Sequence, residues 1–168
     1  MLGICFGHQL LAQALGGEVA ANPAGREIGT VMIDQCPSAV DDPLFAVLGA
    51  RFQAQATHSE AVVRLPPESV LLASSSLCAH HAFRVGCAWG VQFHPEINAT
   101  IMREYIRERA DAIRSEGLDP DRLLSDVRDC DAGDALLRRF REIVEGAQPR
   151  RDVGFGLLPS PLLPSANG

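Results

Sequence analysis

The chain has 168 residues, 46% hydrophobic and 21% charged, the proportions of a single soluble domain with its own core. Its formal net charge of -6 and the absence of a basic run argue against a nucleic-acid partner. No stretch has the length and apolarity of a membrane span, so a membrane partner is not expected either.

The first segment predicts a strand end, a tight turn and a helix. Leu2-Gly3-Ile4 is an apolar stub, and Leu10, Leu11, Ala14 and Leu15 share one helical face before Gly16-Gly17 ends the helix. This stretch is apolar, but it lacks the basic start and the small-residue cleavage site of a secretory leader. Asn22-Pro23-Ala24-Gly25 reads as a loop and Ile28 to Ile33 as a strand. Pro43 to Leu48 suits a short helix or turn. Phe52 to Ala56 suits a strand that runs into a loop at Thr57-His58-Ser59-Glu60, and Val70 to Ala73 a further strand. Ala82 to Val85 and Trp89 to Phe93 predict a hairpin across Gly86-Cys87-Ala88, with His94-Pro95-Glu96 at the end of its second strand.

Beyond that point the pattern turns helical, over Ile97 to Arg114, Asp121 to Cys130 and Asp134 to Glu145. Arg138, Arg139 and Arg141 are flanked by Glu142 and Glu145, as on a mixed-charge helix face. From Gln148 to Gly168, Pro, Gly, Ser and small residues predict a mobile tail, which sets the domain at residues 1–147. Strands mixed with helices make the class α/β.

The cysteines are Cys5, Cys36, Cys78, Cys87 and Cys130, an odd number with no CxxC pair. A disulfide framework is not expected, and a reducing cytoplasm is the default location. Cys78, His80, His81 and Cys87 contain zinc-binding residue types. Adjacent histidines on a strand diverge, however, so no metal and no cofactor is expected.

Gly3-Ile4-Cys5-Phe6-Gly7 has the form G-x-C-x-G, the cysteine version of a nucleophile elbow. A thiol at a strand-to-helix turn sits at a helix N-terminus, where free N–H groups and the helix dipole favour the thiolate. The N–H of Phe6 would face a developing oxyanion. Alone, the pattern also fits an inert buried cysteine. His94-Pro95-Glu96 supplies the missing partners: an imidazole for proton transfer, and a carboxylate two residues on to fix its tautomer.

Leu2 to Leu10 closely resembles the nucleophile motif of class I, or triad-type, glutamine amidotransferases, and Gly90 to Glu96 resembles their second motif, in the same order. Between them, Asn22-Pro23, Glu27-Ile28-Gly29 and His58-Ser59-Glu60-Ala61-Val62 resemble further segments of that family, so the likeness runs from Met1 to about Arg107. It is greatest to proteins similar to the amidotransferase domain of GMP synthase. The resemblance implies a flavodoxin-like α/β domain and glutamine hydrolysis through a glutamyl thioester. Cys5 is then the nucleophile, His94 the acid and base, Glu96 its orienting group and Phe6 an oxyanion donor. Gln9, His58, Ser59 and Glu60 are implied as contacts to glutamine, and the ammonia acceptor as a separate synthetase chain.

Family members carry strands before the elbow and a glycine-rich loop with the second oxyanion donor. Neither precedes Met1, so the resemblance implies a domain lacking its N-terminal strands. Loss of one oxyanion donor costs roughly a hundredfold to a thousandfold in rate. Two further readings follow: a γ-glutamyl hydrolase or peptidase using the same cysteine chemistry, and an inert domain acting only through protein contacts at its open sheet edges.

Overall fold

The computed structural model describes residues 1–146. The expected domain boundary after residue 147 and the expected tail from Gln148 lie outside them. In chain order the elements are β1 (Leu2–Ile4), α1 (Phe6–Ala14), β2 (Glu18–Ala21), β3 (Glu27–Gln35), β4 (Arg51–His58), β5 (Glu60–Arg64), β6 (Val70–Ser75), β7 (Ala82–Val85) and β8 (Ala88–Val91). The helices α2 (Ala99–Glu108), α3 (Ala110–Ser115), α4 (Pro120–Asp126) and α5 (Ala132–Gly146) follow. None is long and apolar enough to cross a membrane.

Six strands form one sheet in the order β1-β8-β7-β6-β3-β4, and β2 and β5 form a separate antiparallel ribbon. Only β1 and β8 run parallel; the other pairs of the sheet are antiparallel. That parallel pair positions the site. Leu2 lies opposite Trp89 and Ile4 opposite Val91, so both strands finish at the same end of the sheet. The residues just beyond them, Cys5 on one and Gln92 to His94 on the other, are thereby brought together. The Cys5 N–H donates to Val91 O (2.8 Å) and the His94 N–H to Gln55 O of β4 (2.7 Å), which fixes both junctions to the sheet.

One core cluster centres on Ile33, Leu72, Val91 and Phe93, with Leu136 and Phe140 of α5 against it. A second packs Met102, Ile106 and Ile113 of α2 and α3 on Ile28. Leu11 and Ala12 of α1 pack with Val62 and Phe83 in a third. Asn98 and Asp119 cap α2 and α4, their side chains accepting N–H bonds of the first turns.

Four local details differ from the sequence-based expectation. The expected loop at Thr57 to Glu60 is strand on both sides of a bend at Ser59: His58 ends β4 and Glu60 begins β5. The β7–β8 connection is two residues, Gly86 and Cys87, with Gly86 at φ 55°, a conformation glycine adopts without strain. The helix expected over Ile97 to Arg114 is interrupted at Arg109, whose guanidinium lies 4.5 Å from the centre of the Tyr105 ring. Finally, β2 was not expected; its Glu18-Val19-Ala20-Ala21 carries no strand pattern of its own and is held by pairing with β5.

Candidate active site

Cys5 sits between β1 and α1 with φ 47° and ψ -101°. A positive φ outside glycine costs on the order of 1–3 kcal/mol and persists only where its surroundings enforce it. Here they do. A Cβ on Gly3 would stand 2.5 Å from the carbonyl oxygen of Gly7, so the strand and the helix meet at a distance only glycine permits. Gly90 gives the same clearance one strand away, where a Cβ would meet the His8 ring at 2.6 Å. The thiol is partly exposed. Its Sγ lies 3.9 Å from Thr57 O and 3.5 Å from Gln92 Nε2.

His94 Nδ1 is 2.6 Å from Glu96 Oε1. A carboxylate only accepts, so Nδ1 carries a proton and Nε2 is left free of Glu96. Nε2 is buried and makes no hydrogen bond of normal geometry among the described residues. Burial opposes the charged ring, but Cys5 and then Glu96 outweigh it and raise the His94 pKa to about 9. For Glu96, partial burial pushes the carboxyl pKa up, and the bond from His94 more than offsets this and lowers it.

Phe6 is the first residue of α1, where helix geometry leaves the N–H without an intrahelical partner. Phe6, Gln9 and Glu60 line one open cavity of about 170 Å³ with Leu10, Gln13 and Val19. Of the residues expected to contact glutamine, Gln9 and Glu60 therefore share a wall with Phe6. Ser59 is exposed and lines a different cavity with Asn22, Arg26 and Glu116.

His58 is drawn inward. Its Nε2 is 2.9 Å from Glu27 Oε2 and its Nδ1 2.9 Å from Glu60 O. Both neighbours are hydrogen-bond acceptors. Glu27 Oε2 also accepts from His81 Nε2 at 2.8 Å, and its Oε1 from Ser75 Oγ at 2.5 Å. Burial pushes the Glu27 carboxyl pKa up, but these bonds hold it well below the usual carboxylate range. The result is a buried charged knot joining β3, β4 and β6 directly behind the bend at Ser59.

The donor atoms of His58, Cys78 and His81 lie within 4.8 Å of one another. Both Nε2 atoms are already committed to Glu27, and burial, with the Glu27 charge behind it, pushes the Cys78 thiol up to about 12. His81 Nδ1 is buried with no hydrogen-bond partner among the described residues, so it is the protonated Cys78 thiol, and not full engagement of both rings, that argues against a cation here. His80 points elsewhere, its Nδ1 2.7 Å from Val62 O.

A model of the family described as Glutamine amidotransferase class-I matches residues 1–111. The chain belongs to this family.

Among its relatives is a GMP synthase (glutamine-hydrolyzing) subunit of Methanothermobacter thermautotrophicus, 41% identical over 107 residues, which cover 60% of this chain and 53% of that protein. GMP synthase (glutamine-hydrolyzing) of Thermomicrobium roseum is 42% identical over 101 residues, 60% of this chain and 18% of that one. This amidotransferase chain thus spans about half the length of the GMP synthase subunits it matches. A glutamine amidotransferase from Thermotoga maritima has the same fold, with TM-score 0.67, 27% identity, and coverage of 86% of this chain and 60% of that one. A glutamine amido transferase from Methylobacillus flagellatus is alike in fold, with TM-score 0.69, 24% identity and coverage of 89% and 64%.

The amidotransferase match ends within α3, yet α5 also reaches the site. A Cβ on Gly133 would overlap the backbone of Pro95, so the first turn of α5 lies directly on the His-Pro-Glu turn. Sequence reasoning missed this contact, and it missed Glu27, His81 and Gln92 as parts of the site's support. Glycine and glutamine give no local sign of a partner so far away in sequence.

Proposed function

We propose that this chain hydrolyses the side-chain amide of glutamine and releases ammonia for a separate acceptor enzyme. The Cys5 thiolate attacks the amide carbon, and the Phe6 N–H faces the oxyanion as it forms. His94 gives its proton to the departing nitrogen. The C–N bond breaks, ammonia leaves and a glutamyl thioester remains on Cys5. Water then attacks the thioester and yields a proton to His94. The C–S bond breaks, glutamate leaves, and the thiolate and imidazolium are restored. Glu96 holds His94 in the tautomer and orientation these steps need. Gln9 and Glu60, on the wall they share with Phe6, hold the substrate.

The observation that carries this reading is His94 itself: one nitrogen bonded to Glu96, and a pKa raised to about 9 chiefly by Cys5. At neutral pH the ring therefore holds the proton that the leaving group requires. Membership of the class I amidotransferase family supports glutamine as the source of the amide. Several relatives are named as subunits of GMP synthase, which supports an acceptor on another chain.

The same chemistry on a γ-glutamyl peptide bond is the competing reading. Initial rates of glutamate release from free glutamine and from a γ-glutamyl dipeptide, measured on the full chain, separate the two. Faster release from glutamine is expected, and faster release from the dipeptide would overturn the assignment.

A further inference from the structure

Gln92 is fully buried between β8 and His94, and none of the steps above uses it. A buried amide must still be satisfied, and its partners decide its orientation. Gln9 Nε2 is 2.9 Å from Glu60 O and 3.3 Å from Gln92 Oε1. The Glu60 backbone carbonyl can only accept, so it fixes the Gln9 NH₂ group toward itself. The second Gln9 proton then points to Gln92, which must present its oxygen there. With its oxygen so placed, Gln92 turns its own NH₂ the other way, to 3.5 Å from Cys5 Sγ. If Gln92 were flipped, two NH₂ groups would oppose each other and its oxygen would face the sulfur. One backbone carbonyl thus sets the direction of both amides.

The sulfur has an acceptor as well as a donor beside it. Thr57 O, 3.9 Å away, suits the protonated thiol and opposes the thiolate. The Gln92 N–H has the reverse preference.

We propose that Gln92 donates a hydrogen bond to the Cys5 thiolate and so acts as a catalytic residue, with Gln9 the positioning residue that holds its amide in register. This rests on the reading of Cys5 as the nucleophile. The donor favours the sulfur when it is charged, before attack and again as it leaves the thioester, and has no comparable partner in the neutral thioester between.

The test is alkylation of Cys5 by iodoacetamide across pH, resolved by peptide mass spectrometry, in the full chain. Wild type is compared with Gln92→Met, which removes the donor, Gln92→Glu, which replaces it with a charge, and Gln9→Met, which releases it. Cys87, exposed on the β7–β8 turn, is the internal reference. The Cys5 midpoint is expected to rise by about one pH unit in Gln92→Met, the worth of a charged hydrogen bond. Gln92→Glu should raise it further, because a carboxylate repels the thiolate, and Gln9→Met should raise it less. Cys87 should not move.

Superimposable Cys5 profiles, or an equal shift at Cys87, would overturn the inference. Gln9→Met carries the test should the Gln92 variants fail to fold. Glutamate release measured alongside separates this claim from the one beneath it. A shifted Cys5 profile in a chain that releases no glutamate leaves the hydrogen bond standing and removes the glutaminase reading. Release with unshifted profiles does the opposite.

Discussion

Acid stability reports how α1 is seated beneath Cys5. His8 follows Cys5 by three residues and is wholly buried, its ring tilted 51° against that of Phe83 with ring centres 4.9 Å apart. Neither of its ring nitrogens has a hydrogen-bond partner among the described residues. Burial, reinforced by the charges of His81 and His58, lowers its pKa from 6.5 to about 3, while the nearby backbone of Gly90 and His80 pulls weakly the other way. The unfolded chain therefore takes up a proton at pH 6.5 that the folded chain refuses until about pH 3. The stability that neutral His8 contributes is present above the unfolded value and is lost as pH falls between the two. The slope below the unfolded value approaches about 1.4 kcal/mol per pH unit, so acidification from about pH 7 to about pH 5 removes about 2 kcal/mol through this ring alone. Other groups titrate over the same range, so the quantity to read is a difference. Urea unfolding of wild type and His8→Leu at both pH values isolates it, and wild type is expected to lose about 2 kcal/mol more than the variant. Equal losses in the two proteins would refute the reasoning, because they would mean that the buried ring can be protonated where it stands.

Two further outcomes follow from the geometry around His94. Gly133→Ala places a methyl group against the Pro95 backbone, and is expected to cost about 1–3 kcal/mol by overpacking and to slow glutamate release by displacing the His-Pro-Glu turn. Thermal unfolding and initial rates check both. Glu96→Gln removes one of the two neighbours that raise the His94 pKa to about 9, so the alkaline limb of the pH–rate profile, where the imidazolium is lost, should move to lower pH. An unmoved limb would show that Glu96 does not tune the ring.

The tight turn at Cys5 was legible because its requirements are local. Gly3, Cys5 and Gly7 within five residues mark a strand meeting a helix at close range, and the structure supplies the matching contact of Gly3 with Gly7. His94 and Glu96 were legible as a pair for the same reason, being two residues apart and bonded. The segment around His58 was not. Thr57-His58-Ser59-Glu60 is polar and reads as a loop, but His58 is buried because Glu27, 31 residues earlier, accepts a hydrogen bond from its ring. A long-range hydrogen bond to a carboxylate makes a polar residue suit a core strand, and nothing in the neighbouring sequence signals it. Gln92 and Gly133 were silent likewise, since their meaning lies in Gln9 and Pro95 across the fold. His80 and His81 lie in the turn before β7 and not on a strand as expected, and they still diverge: His81 turns to Glu27 and His80 to Val62.

Cys5, His94 and Glu96 are proposed to hydrolyse glutamine. Glutamate release from glutamine by the purified full chain, with Cys5→Ala as the control and circular dichroism to show that both proteins are folded, tests it most directly. Release by the wild-type chain and none by the variant is the predicted result. No release from a folded wild-type chain, or equal release from Cys5→Ala, would contradict the claim.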